Sequence, residues 1–494
     1  MSDNLPDTTP DERYVAKLER AIEEIWDIAH RFGIDPYPVH FELVPSTIMY
    51  EFGAYGLPGR FSHWSRGKAY YRMKTEYDYG LSKIYELVVN TNPSYAFLME
   101  QNDLLQNEVV VAHVLGHCDF FKHNIYFRST PGNMIDKVSV NADRIRKYEY
   151  DHGTDSVERF LDAVLAIEEH IDPNTLIKRE SDEQRERRLR AGEQPMQRPS
   201  DYDDLWDLER RSQRRDDDER PRTRRRFPPE PEKDLLLFMA EHAPSLEPWQ
   251  RDILLIVREE MQYFLPQART KVINEGWASL IHSRIMREMD LTDAEFTAFA
   301  QMHSGVLAPQ RMRINPYHLG YSILEDIERR WDNPTEEEQA KFGRQPGQGR
   351  AKLLEVRETE SDISLLRNYL TKELVEDLDL YLYRKEGDEW VIVEKDWEKV
   401  RDGIIASMTN FGSPYITIDD ADYNGNTELL MRHHYEGQQL DLPYAEKTLE
   451  YVYQIWGRPV HIETIFEGKS VRLSYNGEKH AHAILDRPER SERG

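Results

Sequence analysis

The run DLLQNEVVVAHVLGHCDFFKHN, residues 103 to 124, constrains the fold more than any other stretch of the chain. Its spacing predicts a helix, opened by Asp103 and Gln106 at the separation of a capping box. The central part, VVVAHVLGH, is apolar on nearly every side, which predicts a helix enclosed by other elements and not one lying on the surface. Two imidazoles, His113 and His117, are thereby carried into a core where polar groups without partners cost free energy. They require a partner from elsewhere in the sequence.

Four residues apart on a helix, both rings leave one face and their nitrogens can converge on one ion. Spacing alone decides little: 17 histidines in 494 positions give about 0.6 such pairs by chance, and two hydrogen-bonded core histidines are the bland alternative. NEGWASLIH, residues 274 to 282, adds weight. It resembles the second motif of gluzincin metallopeptidases, in which an Asn-Glu-Gly-aromatic-Ala run supplies the glutamate that completes a His-His-Glu zinc site, and Glu275 matches that ligand. The first motif departs from the pattern, since HVLGH places Val114 where HExxH has its general-base glutamate. Ordinary zincin peptidase chemistry is put in doubt by that departure.

Seven residues on, His282 projects about 20° from Glu275, so the two form an inner and an outer layer of one helix face, with His282 backing the ligands. Glu260, late in the helix before Pro266, is the first candidate to replace the missing carboxylate; a solvated helix face is its alternative. His63, in the aromatic and glycine-rich FSHWSRGK, is a candidate ligand or substrate contact, or a core hydrogen-bonding group. Lys68 and Arg60 are optional contacts for an anionic group, as are His303 and Tyr317 for the site. Cys118 and Asp119 project away from the histidine face.

A formal charge of -26 and a pI near 5.2 argue against general nucleic-acid binding, which needs a clustered basic face. Acidic residues spread along the whole chain, with Arg outnumbering Lys, suit a protein kept soluble in high salt and suggest a halophilic source. A single cysteine, Cys118, excludes an intramolecular disulfide framework and fits a reducing cytoplasm. The opening MSDNLPDTTPDERY lacks a basic and apolar leader, and no later run approaches a membrane span.

The expected fold class is α+β: a mainly helical, zincin-like metal-site domain with a small C-terminal α+β module. From Asp11 the apolar spacing predicts an amphipathic helix ended by Gly33 and Pro36. Residues 40 to 80 read as strands or ordered loops lining a site, irregular and partly buried. The first part of the core spans 1–178 and contains the HxxxH helix. A mixed-charge, apolar-poor stretch over 179–233 reads as a disordered insertion or linker. Residues 234–374 form the helical second half of the core, with two long helices parting near Pro266. Over 375–494, strand and helix patterns alternate as a C-terminal module.

Successive blocks, LPGRFSHWSRGK, NTNPSYAFLMEQN, AHVLGHCDFFKHN, QYFLPQARTKVINEGWASLIHS, INPYHLGYSILEDIERRW and GQQLDLPYAEKTLEYVYQIWGRPVHIET, resemble those of the SpoVR (stage V sporulation protein R) family in order and over nearly the whole chain. The resemblance implies a cytoplasmic protein linked to cortex assembly in spore formers and to stress or starvation elsewhere, in the company of a PrkA-like serine kinase. No reaction comes with it, so function is argued from the site. Three readings follow: a metal-dependent hydrolase of amide or peptide bonds using zinc, a non-catalytic metal-stabilised scaffold for a kinase or envelope-assembly partner, and a non-haem iron enzyme.

Overall fold

A computed structural model describes residues 10–78, 86–172, 226–309, 314–386 and 389–485. The linker read over 179–233 lies outside the described residues up to 225, but its last residues, 226–233, are ordered, with Glu232 paired to Ile418 through two backbone bonds. The chain divides into two compact units, one of Met1–Leu161 with Glu259–Ser413, the other of Asp162–Arg258 with Pro414–Gly494. The protein is a mixed α+β chain, predominantly helical, with a sheet module at its C-terminal end.

In chain order the elements begin with α1 (Pro10–Arg31), β1 (Val39–Val44), α2 (Ser46–Tyr55), α3 (Trp64–Asp78), β2 (Leu87–Val89), β3 (Ser94–Met99) and α4 (Leu104–His123). α1 buries Leu18, Ile25 and Ile28 and turns off at Gly33, whose φ of +70° suits a residue without Cβ. The stretch expected to hold strands or ordered loops contains one strand, β1, but is otherwise built of the helices α2 and α3. Its aromatic and glycine-rich composition hides the helices, because α2 ends on Gly56 at φ 75° and buries only Met49 and Tyr50. β3 is the middle of a three-stranded sheet, parallel to β1 and antiparallel to β2.

α5 (Met134–His152), α6 (Thr154–Leu165), α7 (Leu235–His242), α8 (Pro248–Arg269) and α9 (Lys271–Glu288) follow. The break between α8 and α9 falls at Thr270, not at Pro266, which sits inside α8. Proline removes only a bond on its N-terminal side. The helix therefore runs on for one more turn, and ends where the Thr270 hydroxyl donates to the Pro266 carbonyl at 2.8 Å.

Next come α10 (Asp293–Val306), α11 (Pro316–Asp332), α12 (Glu336–Phe342), α13 (Gly349–Thr359), α14 (Asp362–Tyr369), α15 (Lys372–Asp377), β4 (Leu382–Glu386), β5 (Glu389–Glu394) and α16 (Trp397–Met408). In the first unit α4 and α9 lie against each other, and α9 lies also against α11. Small residues set these distances: a Cβ on Gly116 would stand 2.7 Å from the Ala278 Cα, and one on Gly276 2.3 Å from the Gly320 carbonyl carbon. β4, β5 and α16 fall within the module read from residue 375, yet Val400, Ile404 and Ile405 of α16 join the first unit's core.

The remaining elements are β6 (Ile416–Tyr423), β7 (Glu428–His433), α17 (Leu442–Trp456), β8 (Val460–Phe466), β9 (Lys469–Tyr475) and β10 (His480–Ile484). They form a five-stranded sheet in the order β10-β9-β8-β7-β6. Only β7 and β8 are parallel, and α17 joins them, as a parallel crossover requires. The side chains of Ile418, Met431 and Ile462 are buried at paired positions across its centre.

Candidate metal centre

α4 is held open at its start by the Asp103–Gln106 capping box, whose two bonds measure 2.8 and 3.1 Å. Every residue from Val110 to Phe121 of this helix is buried. The start of α9 is held by the Asp362 carboxylate, which accepts from the Val272 and Ile273 amides at 2.9 Å each. Burial pushes the Asp362 carboxyl up to about 7 against those two bonds. Between these fixed helices lies one polar cluster.

Four side chains, Glu86, His113, His117 and Glu275, bring one ligand atom each to within 4.8 Å of all the others. His113 Nε2 lies 3.4 Å from Glu86 Oε1 and 3.7 Å from Glu275 Oε2; His117 Nε2 lies 3.9 and 3.4 Å from the same two atoms. Tetrahedral ligands about 2.0 to 2.1 Å from an ion are about 3.4 Å apart, so these spacings suit a small divalent cation. Two carboxylates with two neutral imidazoles also balance a charge of two. His113 Nε2 and Glu275 Oε2 are buried with no hydrogen-bond partner among the described residues, an arrangement that is costly unless another group satisfies them.

Each histidine is fixed through its other nitrogen. His117 Nδ1 donates to Asn274 Oδ1 at 3.0 Å, and His113 Nδ1 meets His282 Nδ1 at 2.8 Å. His282 Nε2 in turn meets His303 Nδ1 at 2.9 Å. When His113 Nε2 is a ligand, its Nδ1 carries the proton and donates to His282, which passes the same polarity to His303. Tyr317 stacks on the His113 ring at 6.1 Å and hydrogen-bonds Glu275. Burial, then Glu86 and Glu275, raise the pKa of this phenol well above its usual range.

Burial alone would raise the carboxyls of Glu275 and Glu86, but the two histidines overcome it and hold both below the ordinary range. Burial would likewise lower His117, yet Glu275 and Glu86 push it up to about 10. Without an ion, the cluster therefore keeps a proton on His117 between two carboxylates. His282 is held well below its usual value, by burial first and then by His113 and His303.

The structure thus brings His113, His117 and Glu275 together and sets His282 behind His113. Glu260 is not one of the four: its carboxylate is fully buried, with Oε2 held by Arg60 Nε at 2.5 Å and Arg66 Nη2 4.0 Å away. His63 is buried ahead of α3, with Nδ1 2.7 Å from Ser65 Oγ. Sequence reasoning missed Glu86, which precedes β2 in ELVV and shares no spacing with HVLGH or NEGWA. β2 pairs with β3, and β3 leads straight into α4, so only the sheet puts Glu86 beside the histidines. Asn274 was missed too, although it adjoins Glu275. Asp119 accepts from Trp277 Nε1 at 3.0 Å, from the Asp35 amide at 2.9 Å, and from Arg357 Nη1 at 2.8 and 2.9 Å. It ties α4 to α9 and α13 behind the site.

Residues 12–413 match the family described as SpoVR like protein, and residues 414–467 match the SpoVR-like C-terminal domain. The chain belongs to the SpoVR-like family. The boundary between these SpoVR matches coincides with the change of compact unit at Ser413 and Pro414. One relative, "Uncharacterized protein YcgB" of Escherichia coli (strain K12), is 30% identical over 496 residues, covering 95% of this chain and 94% of its own. No solved structure matches the chain. Among the described residues no helix is long and apolar enough to cross a membrane.

Proposed function

We propose that this SpoVR-like protein holds one divalent cation, zinc in the leading reading, on His113, His117 and Glu275, and acts as a hydrolase of amide or peptide bonds. The observation that carries the reading is the convergence of four ligand atoms, two of them otherwise without partners. It is in keeping with a gluzincin-like motif in which HVLGH supplies two ligands and NEGWA the third, on two helices of a zincin-like arrangement. When bound, such an ion supplies Lewis-acid polarisation and a water acidified to a pKa of about 7.

The carboxylate that Val114 does not provide is assigned to Glu86. Its side chain is 21% exposed against 12% for Glu275, so Glu86 is the more solvent-facing acid and, held ionised by the two histidines, the one placed to accept a proton at the rim. Glu260 is not among the four converging groups, and its Oε2 is held by Arg60. Asn274 and His282 orient the ligand rings, and Tyr317 holds Glu275 in place.

A second reading makes Glu86 a fourth permanent ligand. Four protein ligands fill a tetrahedral ion, and the centre is then a structural clamp in a scaffold for a kinase, such as a PrkA-like serine kinase, or for an envelope-assembly partner. The same donors suit non-haem iron as a third reading. Work in sporulation or stress physiology, in the cytoplasm, is part of the proposal in each case.

Metal analysis of the purified full-length protein tests the proposal. Wild type is expected to hold about one ion per chain, and His113→Ala and Glu275→Ala none. Glu86→Gln separates the first two readings: retained metal with lost hydrolysis of peptide substrates supports the hydrolase, whereas lost metal supports the closed clamp. Equal metal in all four proteins removes the site.

A further inference from the structure

The second compact unit holds a polar cluster unrelated to the metal centre. Residues 232 and 418 pair through two backbone bonds, Glu232 N to Ile418 O at 2.9 Å and Ile418 N to Glu232 O at 2.8 Å. This pairing lays Lys233 along the edge of β6. The Leu235 amide donates to the His170 carbonyl at 2.9 Å, which sets His170 beside the same segment. His433, opposite Ile416 at the end of β7, is buried and has Nδ1 2.8 Å from Thr464 Oγ1.

Lys233 is only 8% exposed, and its Nζ has no hydrogen-bond partner among the described residues. Its ammonium rests 4.6 Å from the centre of the Tyr415 ring. His170 is 6% exposed, and its Nδ1 likewise lacks a partner among the described residues. Asp172 and then Asp234 lend Lys233 a favourable field, but neither hydrogen-bonds its Nζ, and the oxygens of Asp234 are engaged by the Leu237 amide and by Arg258. An ammonium and an imidazole nitrogen left open on buried side chains close enough for Lys233 to act electrostatically on His170 are costly unless something accepts from them.

We propose that Lys233 and the Nδ1–H of His170 form a binding site for a small oxyanion, a carboxylate or phosphate group, covered by Tyr415. An oxyanion offers several lone pairs and can accept from an ammonium and an N–H at once, and a charge-assisted bond of this kind is stronger than a neutral one. A metal ion would satisfy His170 but be repelled by Lys233. Burial first, then Lys233 and His433, lower the His170 pKa to about 3, so the ring is neutral and free to carry its one proton on Nδ1. Burial lowers Lys233 to about 8, so it remains largely an ammonium at neutral pH. Tyr415 is itself 37% exposed, so the amine lies one side chain below the surface.

The test uses full-length protein, with inorganic phosphate and acetate as probes and sodium chloride at matched ionic strength as control. A ligand that binds the native state raises the thermal midpoint. Wild type is expected to gain stability with one or both probes, the responding probe identifying the group recognised. Lys233→Met, which keeps the length of the chain without its charge, is expected to lose that gain, and His170→Leu to weaken probe binding by calorimetry about tenfold. Protection of Lys233 from an amine-reactive label by the probe gives a readout on wild type alone. The proposal is overturned if wild type gains nothing beyond the chloride control and the label finds no protection. It is equally overturned if Lys233→Met responds as wild type does. A Lys233→Met protein that is more stable in every buffer, with no probe response in wild type, would identify a merely buried lysine.

Discussion

Burial alone would lower the pKa of His117, and its rise to about 10 under Glu275 and Glu86 makes a proton the competitor of any cation at the centre. A ligating imidazole is neutral, so binding must release that proton. The sign follows directly: below the raised pKa, affinity should climb with pH, by about tenfold per unit for one proton displaced. Calorimetric titration of metal into the metal-free protein between about pH 6 and 8, in buffers of different ionisation heat, measures both slope and proton count. A flat affinity over that range would contradict the assignment. Behind the site, Asp119 faces a different cost, since Arg357 is 4% exposed and lies 5.6 Å from the Trp277 ring. Asp119→Asn keeps the shape but leaves that guanidinium without its counter-charge, and is expected to cost about 3 to 5 kcal/mol in urea unfolding. Asp119→Asn with unchanged stability would mean that Arg357 is neutralised by Glu358, which lies 3.1 Å from its Nη2.

At the scale of elements, the approach of α4 to α9 decides whether histidines and glutamate meet at all. Gly116 lies between His113 and His117, and an added Cβ there would fall 2.7 Å from a backbone atom of Ala278, which cannot swing away as a side chain can. Gly116→Ala is therefore expected to push the helices apart, costing about 1 to 3 kcal/mol and weakening metal binding although no ligand is touched. Denaturant unfolding and metal content on one preparation check both; full metal with native stability would show that the helices have slack. Much of this was legible in the sequence. The enclosed α4, its capping box and the strands and helix of the C-terminal sheet are local patterns, visible as periodicity and caps. What was not legible depends on pairing between distant segments. Glu86 reaches the centre only because β2 pairs with β3, and Glu260 is turned to Arg60 by a contact 200 positions away in the chain. The helix break at Thr270 escaped because it rests on one hydroxyl reaching one carbonyl.

For the whole molecule, the formal charge of -26 sets a repulsion that no single contact describes. Salt acts on it in two directions. Exposed pairs such as Arg146 with Asp143, or Lys372 with Glu376, lose attraction as salt rises, but each is worth only about 0 to 1 kcal/mol. The unbalanced acidic charge loses repulsion at the same time, and the screening length falls from about 10 Å at 0.1 M to about 3 Å at 1 M. Buried pairs, Arg357 with Asp119 and Arg258 with Asp234, are little affected at either concentration. With acidic residues at 91 against 65 basic ones, the relief of repulsion is the larger effect. The midpoint of thermal unfolding should therefore rise between about 0.1 and 1 M potassium chloride, steeply at first and then less as the screening length shortens. Chloride is the right anion for this measurement, because sulfate strengthens apolar burial in any protein and would imitate the result. A midpoint that falls with chloride would mean that the surface pairs act as a network worth more than the excess charge, and would remove the case for a protein adapted to high salt.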